Sequence, residues 1–252
     1  METAEVLRQF ESATAKFARA AVAAAATRPE EITPELLRIL ERTVDGAAQL
    51  GAEGDYIAHL HAMFLLAQFR ETRAYPLVVR FALLPEEQLE LLGGDFVTEH
   101  LGQVLASVCG GELSGIQSVV GHEQADEWAR GAALSSLVTL VAAGQKSREE
   151  IIGYFASLFR GKLVRRYSHV WDSLVSCSCD LYPAELIADI EQAYQEGLVD
   201  PGFISSQNVR HGLARGKEAV LAELGNNSHR QLVDDTAKEM EWWACFRQKY
   251  FA

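Results

Sequence analysis

Two pairs of side chains have a spacing that could support chemistry. In the first pair, Asp55 and His59 are four residues apart and would share one face of an α-helix. A carboxylate and an imidazole in this arrangement can contribute to a metal site or act as an acid–base pair. A hydrogen-bonded pair on a helix surface is the alternative interpretation. His61 cannot join His59 on one metal, since residues two apart on a helix point about 200° away from each other.

The second pair, Asp95 and Glu99, follows a Gly–Gly step and would place two carboxylates on one helix face. Paired carboxylates can hold a divalent cation or share a proton. Asp95 is equally well placed to cap the amino terminus of a helix. Both pairs are therefore candidate binding residues, and neither by itself predicts a reaction.

The motifs that usually accompany catalysis or cofactor binding are missing from the sequence. It has no phosphate-binding loop, dinucleotide fingerprint or nucleophile elbow. Cys177 and Cys179 are separated by one residue, whereas redox and zinc motifs use two. We therefore predict no catalytic residue, no metal site and no cofactor, and expect the four cysteines to be free, structural thiols.

A basic segment with aromatic neighbours is the next candidate binding surface. It contains Arg165 and Arg166 and is followed by Trp171. Cations interleaved with aromatics can hold single-stranded nucleic acid or an acidic peptide, although a solvated helix end has the same composition. The chain has 23 Lys and Arg against 35 Asp and Glu, a net charge of −12, which opposes binding to nucleic acid and to anionic lipid. A protein partner is therefore favoured, and nucleic acid is not.

Aromatic residues are concentrated near the carboxyl terminus. Trp242 and Trp243 lie about 100° apart on a helix, so one could close the end of the fold while the other faces a partner. The only compositional break in the chain, at 225–228, precedes this segment. We predict a main domain over residues 1–225 and a capping or interface helix over residues 226–252, which could form a homodimer contact.

Hydrophobic periodicity is helical along almost the whole chain. Leu36, Leu40 and Val44 repeat at a spacing near 3.6, and no stretch alternates long enough to predict a strand. Thr33 before a proline and Ser147 before two glutamates are predicted helix caps. We expect eleven or twelve helices of an all-α protein. No segment approaches the roughly 20 apolar residues of a membrane span, so we expect a cytoplasmic protein without a membrane contact.

The helices fall into consecutive pairs of irregular length, from 55–83 to 183–224. Paired helices in series are typical of helical solenoids. Residues 126–133 have the composition of the second helix of a HEAT-type pair, with an Asp at the turn followed by Arg and small residues. The pattern favours a HEAT-like α-α superhelix, a solenoid of antiparallel helix pairs. An ordinary helical bundle is the alternative.

Several stretches of the chain resemble one known family. They are Glu30–Leu37, Gln68–Glu71 with Ala74–Pro76, Cys179–Pro183, and Gly197–Pro201 followed by Phe203–Ile204. Together they are similar to the bacterial proteins grouped as domain of unknown function 1186, over about Ile32 to Leu224. The resemblance implies a HEAT-like all-α fold and no established activity. Some relatives are expected to carry a Cys/His zinc motif at the carboxyl end, but Cys245 is the only cysteine after Cys179 here, so that motif does not transfer.

Two classes of function follow from these features. A solenoid presents a large concave surface, which favours a non-catalytic scaffold or adaptor that binds another protein. The alternative is a metal- or small-ligand-binding enzyme in the groove, such as a phycobilin-lyase-like protein, with an aromatic cleft near the two candidate pairs. The first class predicts an open groove, and the second a deep pocket at those pairs.

Overall fold

Residues 1–13 and 16–246 are described by the computed structural model. In this part of the chain there are 17 α-helices and no β-strand, and one isolated bridge joins Ser12 to Tyr56. The α-helices are α1 (Thr3–Phe10), α2 (Arg19–Ala26), α3 (Pro29–Asp45), α4 (Ala47–Gly51), α5 (Ala58–Gln68), α6 (Tyr75–Ala82), α7 (Glu86–Gly93), α8 (Asp95–Glu99), α9 (Leu101–Val108), α10 (Ser114–Gly121), α11 (Glu127–Ala142), α12 (Arg148–Ser157), α13 (His169–Asp180), α14 (Ile187–Gln195), α15 (Ser206–Arg215), α16 (Lys217–Asn226) and α17 (Thr236–Met240). Single helical turns of other types lie at Thr72–Ala74, Leu158–Lys162, Ala184–Leu186, Ser228–Arg230 and Ala244–Phe246.

The all-α prediction is confirmed, but the expected number of helices is too low. Breaks at Gly46 and His100 divide stretches that the periodicity joins into one helix. The predicted cap at Ser147 is confirmed, because its hydroxyl accepts a hydrogen bond from the backbone N–H of Glu150. The predicted cap at Thr33 is wrong. Helix α3 begins at Pro29 and continues through the position of Pro34, since the buried face of this helix already starts at Ile32.

Four helices form the centre of the fold. Helices α5, α9, α11 and α13, the central helices, contact one another in that order, and α3, α6, α10 and α12 each pack against at least one of them. Every residue of α9 is buried, as is every residue of α5 except Gln68. A helix that is apolar all round must be covered on every side. The pairing of consecutive helices fits the predicted superhelix, which stays a prediction at the level of a HEAT-like repeat.

The contact between α9 and α11 is unusually close. A Cβ atom added at Gly102 would lie 2.8 Å from the backbone carbonyl oxygen of Ala132. Only glycine allows the two backbones to approach at this point. The small residues of this region therefore set the spacing of the central helices.

The last part of the chain returns across the central helices. We call residues 227–246 the C-terminal segment. Its backbone is hydrogen-bonded by side chains of α5 and α9, and Glu241 forms an ion pair with Arg19 of α2. It covers the side of the central helices that the outer helices leave open.

The C-terminal segment differs from the single helix predicted for it. Over the described residues it contains two short 3-10 turns and the five-residue helix α17. The side chains of Asn227 and Asp235 accept hydrogen bonds from nearby backbone N–H groups, and between them Val233 is fully buried. These local bonds compete with a continuous helix. Residues 247–252, which complete the predicted helix, lie outside the described residues.

None of the described helices combines the length and the apolar character that crossing a bilayer requires.

Candidate functional site

The first candidate pair is separated in the structure. Helix α5 begins at Ala58, so Asp55 lies before it in an exposed bend while His59 is buried. The expectation that both share a helix face is therefore wrong. His59 donates from Nε2 to the carbonyl oxygen of Leu92 at 2.7 Å, and burial lowers the pKa of its imidazole to about 4. His59 is thus a neutral core residue, and Asp55 is a surface residue.

The second candidate pair is also divided between two surfaces. Asp95 and Glu99 are the first and last residues of the short helix α8, and both are exposed. Asp95 follows the cap position, which Gly94 occupies, so the predicted capping role is wrong. Asp95 lines one depression of the surface and Glu99 lines another. The two carboxylates therefore do not form one site.

The basic segment is largely neutralised by acidic side chains. Arg165 donates to Glu196 at 2.6 Å, and Arg160 to Asp189 at 2.9 Å. Trp171 is buried and donates from Nε1 to the carbonyl oxygen of Val164 at 3.1 Å. Arg165 and Trp171 are thus held in structural contacts, whereas Arg166 is exposed.

The two tryptophans of the C-terminal segment have different environments. The ring of Trp243 packs 5.6 Å from those of Phe64 and His100, with its Nε1 buried and without a hydrogen-bond partner in the described part of the chain. Trp242 is 48% exposed. One tryptophan thus anchors the segment and the other faces outward, although neither lies on the helix from which their angular separation was predicted.

A depression lies between α11, α13 and the C-terminal segment, and we call it the trough. It has a volume of about 560 Å³. Its lining includes the small residues Gly131, Ala132, Ser135, Ser173 and Ser176. Short side chains there leave room above the two central helices. None of these residues was singled out as a site residue from the sequence, although 126–133 was noted for its small residues.

Aromatic side chains line the trough as well. Trp128 is 43% exposed and Phe203 is 53% exposed, and Trp242 completes the set. His169 lies between two of them, with ring centroids 3.8 Å from Trp128 and 4.8 Å from Phe203. Large exposed aromatics around one depression are typical of binding surfaces. Of these residues, only Trp242 is a candidate from the sequence.

His100 is a buried side chain in the lining whose hydrogen-bonding capacity is unused. It is 5% exposed, and neither ring nitrogen has a hydrogen-bond partner among residues 1–13 and 16–246. Its Nε2 lies 3.8 Å from the carboxylate of Glu99, beyond hydrogen-bond distance. Burial lowers the pKa of the imidazole. An unpaired buried polar group is costly, so His100 is unusual in this fold.

An ion pair joins the trough to the C-terminal segment. Arg230 donates from Nη2 to Asp180 at 2.6 Å and also to the hydroxyl of Ser135. Cys177 lies beside this pair, and burial raises the pKa of its thiol to about 12. A thiol with so high a pKa is a poor nucleophile at neutral pH. Arg230 therefore fastens the segment, and Cys177 is a structural residue.

The trough shows the elements of a binding site more clearly than those of a catalytic one. Ser173, His169 and Asp172 share one turn of α13, but His169 Nδ1 lies 3.6 Å from Asp172 Oδ2, too far for a hydrogen bond. Asp172 instead accepts from the backbone N–H of Asp200 at 2.7 Å. Within the described residues, no three His, Cys, Asp or Glu side chains are arranged to hold a metal ion.

Comparison with known proteins places the chain among uncharacterised relatives. It is 38% identical over 244 residues to an uncharacterised protein of Chlamydia muridarum, covering 96% of this chain and 97% of the relative. A protein of Chlamydia trachomatis serovar D, also uncharacterised, is 37% identical over 244 residues, with 96% of each chain covered. No solved structure matches the chain. The family described as "Protein of unknown function (DUF1186)" matches residues 1–247, and the chain therefore belongs to that family.

Proposed function

We propose that the protein is a non-catalytic binding protein that holds an extended segment of a partner polypeptide in the trough. The observation that carries this proposal is that the trough continues a surface on which the chain already binds its own C-terminal segment, whose residues 231–235 form no helix. The partner segment would lie beside the C-terminal segment, over α11 and α13.

The contacts of the C-terminal segment indicate what this surface recognises. Gln103 donates from Nε2 to the carbonyl oxygens of Ser228 and Gln231, at 3.3 and 3.0 Å. Ser107 Oγ accepts from the backbone N–H of Val233 at 3.0 Å. These bonds involve main-chain atoms, so they are largely independent of the sequence of the bound segment.

The trough offers groups of the same kind to a second segment. The hydroxyls of Ser173 and Ser176 can donate or accept hydrogen bonds to main-chain groups. Trp128, Phe203 and Trp242 supply exposed aromatic surface for the side chains of the partner, and tryptophan is enriched among the residues that dominate binding energy in protein interfaces. The polar floor and the aromatic rim of the trough are together more complementary to a peptide than to the convex surface of a folded protein.

Selection from a random peptide library against the full-length protein tests this proposal. We expect selected peptides whose dissociation constant rises at least about tenfold for Trp128→Ala and for Phe203→Ala, since aromatic anchors dominate such interfaces. Leu91→Ala is the control, because Leu91 is equally exposed but lies outside the trough. Failure to select any binding peptide, or peptides that bind the trough variants as tightly as the native protein, would overturn the proposal.

One observation favours a second candidate function. The volume of the trough lies within the range of small-molecule sites, roughly 300–1,000 Å³, and its rim is aromatic. A flat organic molecule, such as the tetrapyrrole of a phycobilin-lyase-like protein, could stack there. Native mass spectrometry of the protein purified from its own cells tests this candidate: a bound small molecule that Trp128→Ala releases would support it over a peptide.

A further inference from the structure

A second depression borders the trough and has a strongly acidic lining. It has a volume of about 340 Å³ and shares Thr98 and Trp128 with the trough. Four carboxylates line it, and we call it the acidic pocket: Glu86, Glu90, Asp95 and Asp126. One exposed tryptophan therefore stands between an aromatic trough and a group of acids.

Three separate elements bring these acids together. Glu86 and Glu90 are one turn apart on α7, Asp95 opens α8, and Asp126 caps α11 by accepting from the backbone N–H of Ala129 at 2.8 Å. Within residues 1–13 and 16–246, no Lys, Arg or His forms an ion pair with any of the four at 4.0 Å or less. The pocket thus has an excess of negative charge that the described chain does not balance.

Trp128 adds an aromatic face to the acidic pocket. Trp128 exposes 43% of its surface, and the face of an indole attracts an ammonium or guanidinium group. Carboxylates around such a ring increase this attraction, since both act on the same cation. The combination is complementary to a Lys or Arg side chain. A group of carboxylates without the aromatic ring would have no such preference for an organic cation.

An independent feature of the adjoining trough points to a ligand at the same surface. His100 is 5% exposed, lines the trough and leaves both ring nitrogens without a hydrogen-bond partner in the described chain. A neutral imidazole offers one donor and one acceptor, the same pair that a peptide group offers.

We infer that the partner segment is basic and places a Lys or Arg side chain in the acidic pocket, next to an apolar residue that lies in the trough. The inference rests on the proposed function, because it assumes that the trough holds a polypeptide. The net charge of −12 agrees with a basic partner, since charge complementarity favours encounter and register. The preferred occupant is thus a peptide with one basic position.

Peptides selected on the native protein provide the probe. We expect Lys or Arg at one fixed position, and a loss of affinity of about three- to fivefold when that residue is changed to Gln, the range for a partly exposed ion pair. The double variant Glu86→Gln/Glu90→Gln should abolish this difference. The control Glu191→Gln/Glu218→Gln makes the same change of charge at exposed positions outside both depressions and should preserve it.

The outcomes separate this inference from the proposed function. Peptides that depend on Trp128 and Phe203 but show no basic position would overturn the inference and leave the proposed function intact. The inference also fails if the Lys→Gln penalty is the same on Glu86→Gln/Glu90→Gln as on the native protein. If no peptide binds at all, the proposed function fails. Circular dichroism of each variant establishes that it is folded.

Discussion

The side-chain amide of Gln103 donates a hydrogen bond to the backbone carbonyl of Gln231 at 3.0 Å, although 128 positions separate the two residues. Gln103 lies on the fully buried helix α9, and Gln231 lies in the C-terminal segment. A buried amide in an otherwise apolar helix needs such a partner. The C-terminal segment is therefore part of the core structure, and it covers the apolar centre of the fold.

Replacing this glutamine should loosen the segment. Gln103→Ala removes two hydrogen bonds and leaves the carbonyls of Ser228 and Gln231 with one partner fewer, at a cost of about 1–3 kcal/mol. Hydrogen exchange by mass spectrometry should show faster exchange over 228–240 and little change in α11. Gln49→Ala, at an exposed position of α4, is the matched control. Equal protection of residues 228–240 in both variants would contradict the structural role of Gln103.

Because α9 and α11 are in close contact, we expect one added methyl group between them to lower the stability of the protein markedly. In Gly102→Ala the new Cβ would lie 2.8 Å from the carbonyl oxygen of Ala132, so the helices must separate, and we expect a loss of about 1–3 kcal/mol in the free energy of unfolding. Gly153 on α12 has no atom within 4 Å of an added Cβ. Gly153→Ala should therefore stabilise the protein by about 0.5–1 kcal/mol. Urea denaturation measures both, and effects of the same sign would refute the argument.

Arg148 connects the start of α12 to the turn after α13. It is 5% exposed and donates to the carbonyl oxygen of Leu181 at 2.6 Å and to Glu185 at 2.7 and 2.8 Å. This guanidinium lowers the pKa of the Glu185 carboxyl to about 2. Arg148→Met leaves the buried carbonyl unpaired and should cost about 3 kcal/mol.

Two further arginine substitutions show whether the charge of Arg148 or the geometry of its contacts provides the stability. Arg148→Lys keeps the charge but cannot form the forked contact, so it should recover only part of the loss. Arg38→Met breaks the exposed pair with Glu35 and should cost less than about 1 kcal/mol. Thermal and urea unfolding measure all three. Full recovery by lysine would show that charge, rather than geometry, holds the turn.

Two buried histidines predict a loss of stability in mild acid. Burial lowers the pKa of both His59 and His61 to about 4, whereas the ordinary value of histidine is 6.5. The unfolded chain therefore binds protons first, so each histidine destabilises the fold as the pH falls from about 6.5 to 4, by up to about 3 kcal/mol. Well above pH 6.5 both imidazoles are neutral in either state and do not make the unfolding free energy depend on pH.

Substitution of one histidine should remove part of this slope. In His59→Gln the amide can still donate to the carbonyl of Leu92, but the side chain does not titrate. We expect the slope of the unfolding free energy against pH, between pH 6.5 and 4, to decrease by the amount that corresponds to about one proton bound on unfolding. Urea denaturation at a series of pH values measures it, and an unchanged slope would show that His59 is not protonated on unfolding.

Local patterns predicted the elements of this protein but not the candidate site. Capping by Ser147 and helical periodicity act within a few residues, so they can be read from the sequence. The trough joins Trp128, Phe203 and Trp242, which are far apart in the chain, and its floor consists of small residues without a motif. Asp55 and His59 had the right spacing for a pair, but the first turn of α5 starts too late to include both.

The sequence by itself determined the helical fold class and the membership of an uncharacterised family, because periodicity and similarity are carried along the chain. Only the tertiary structure decided where the C-terminal segment lies. Its hydrogen bonds to Gln103, Ser107 and Gln68 join residues more than a hundred positions apart, and no local signal encodes such contacts. The trough exists because that segment covers α5 and α9 but leaves part of α11 and α13 open.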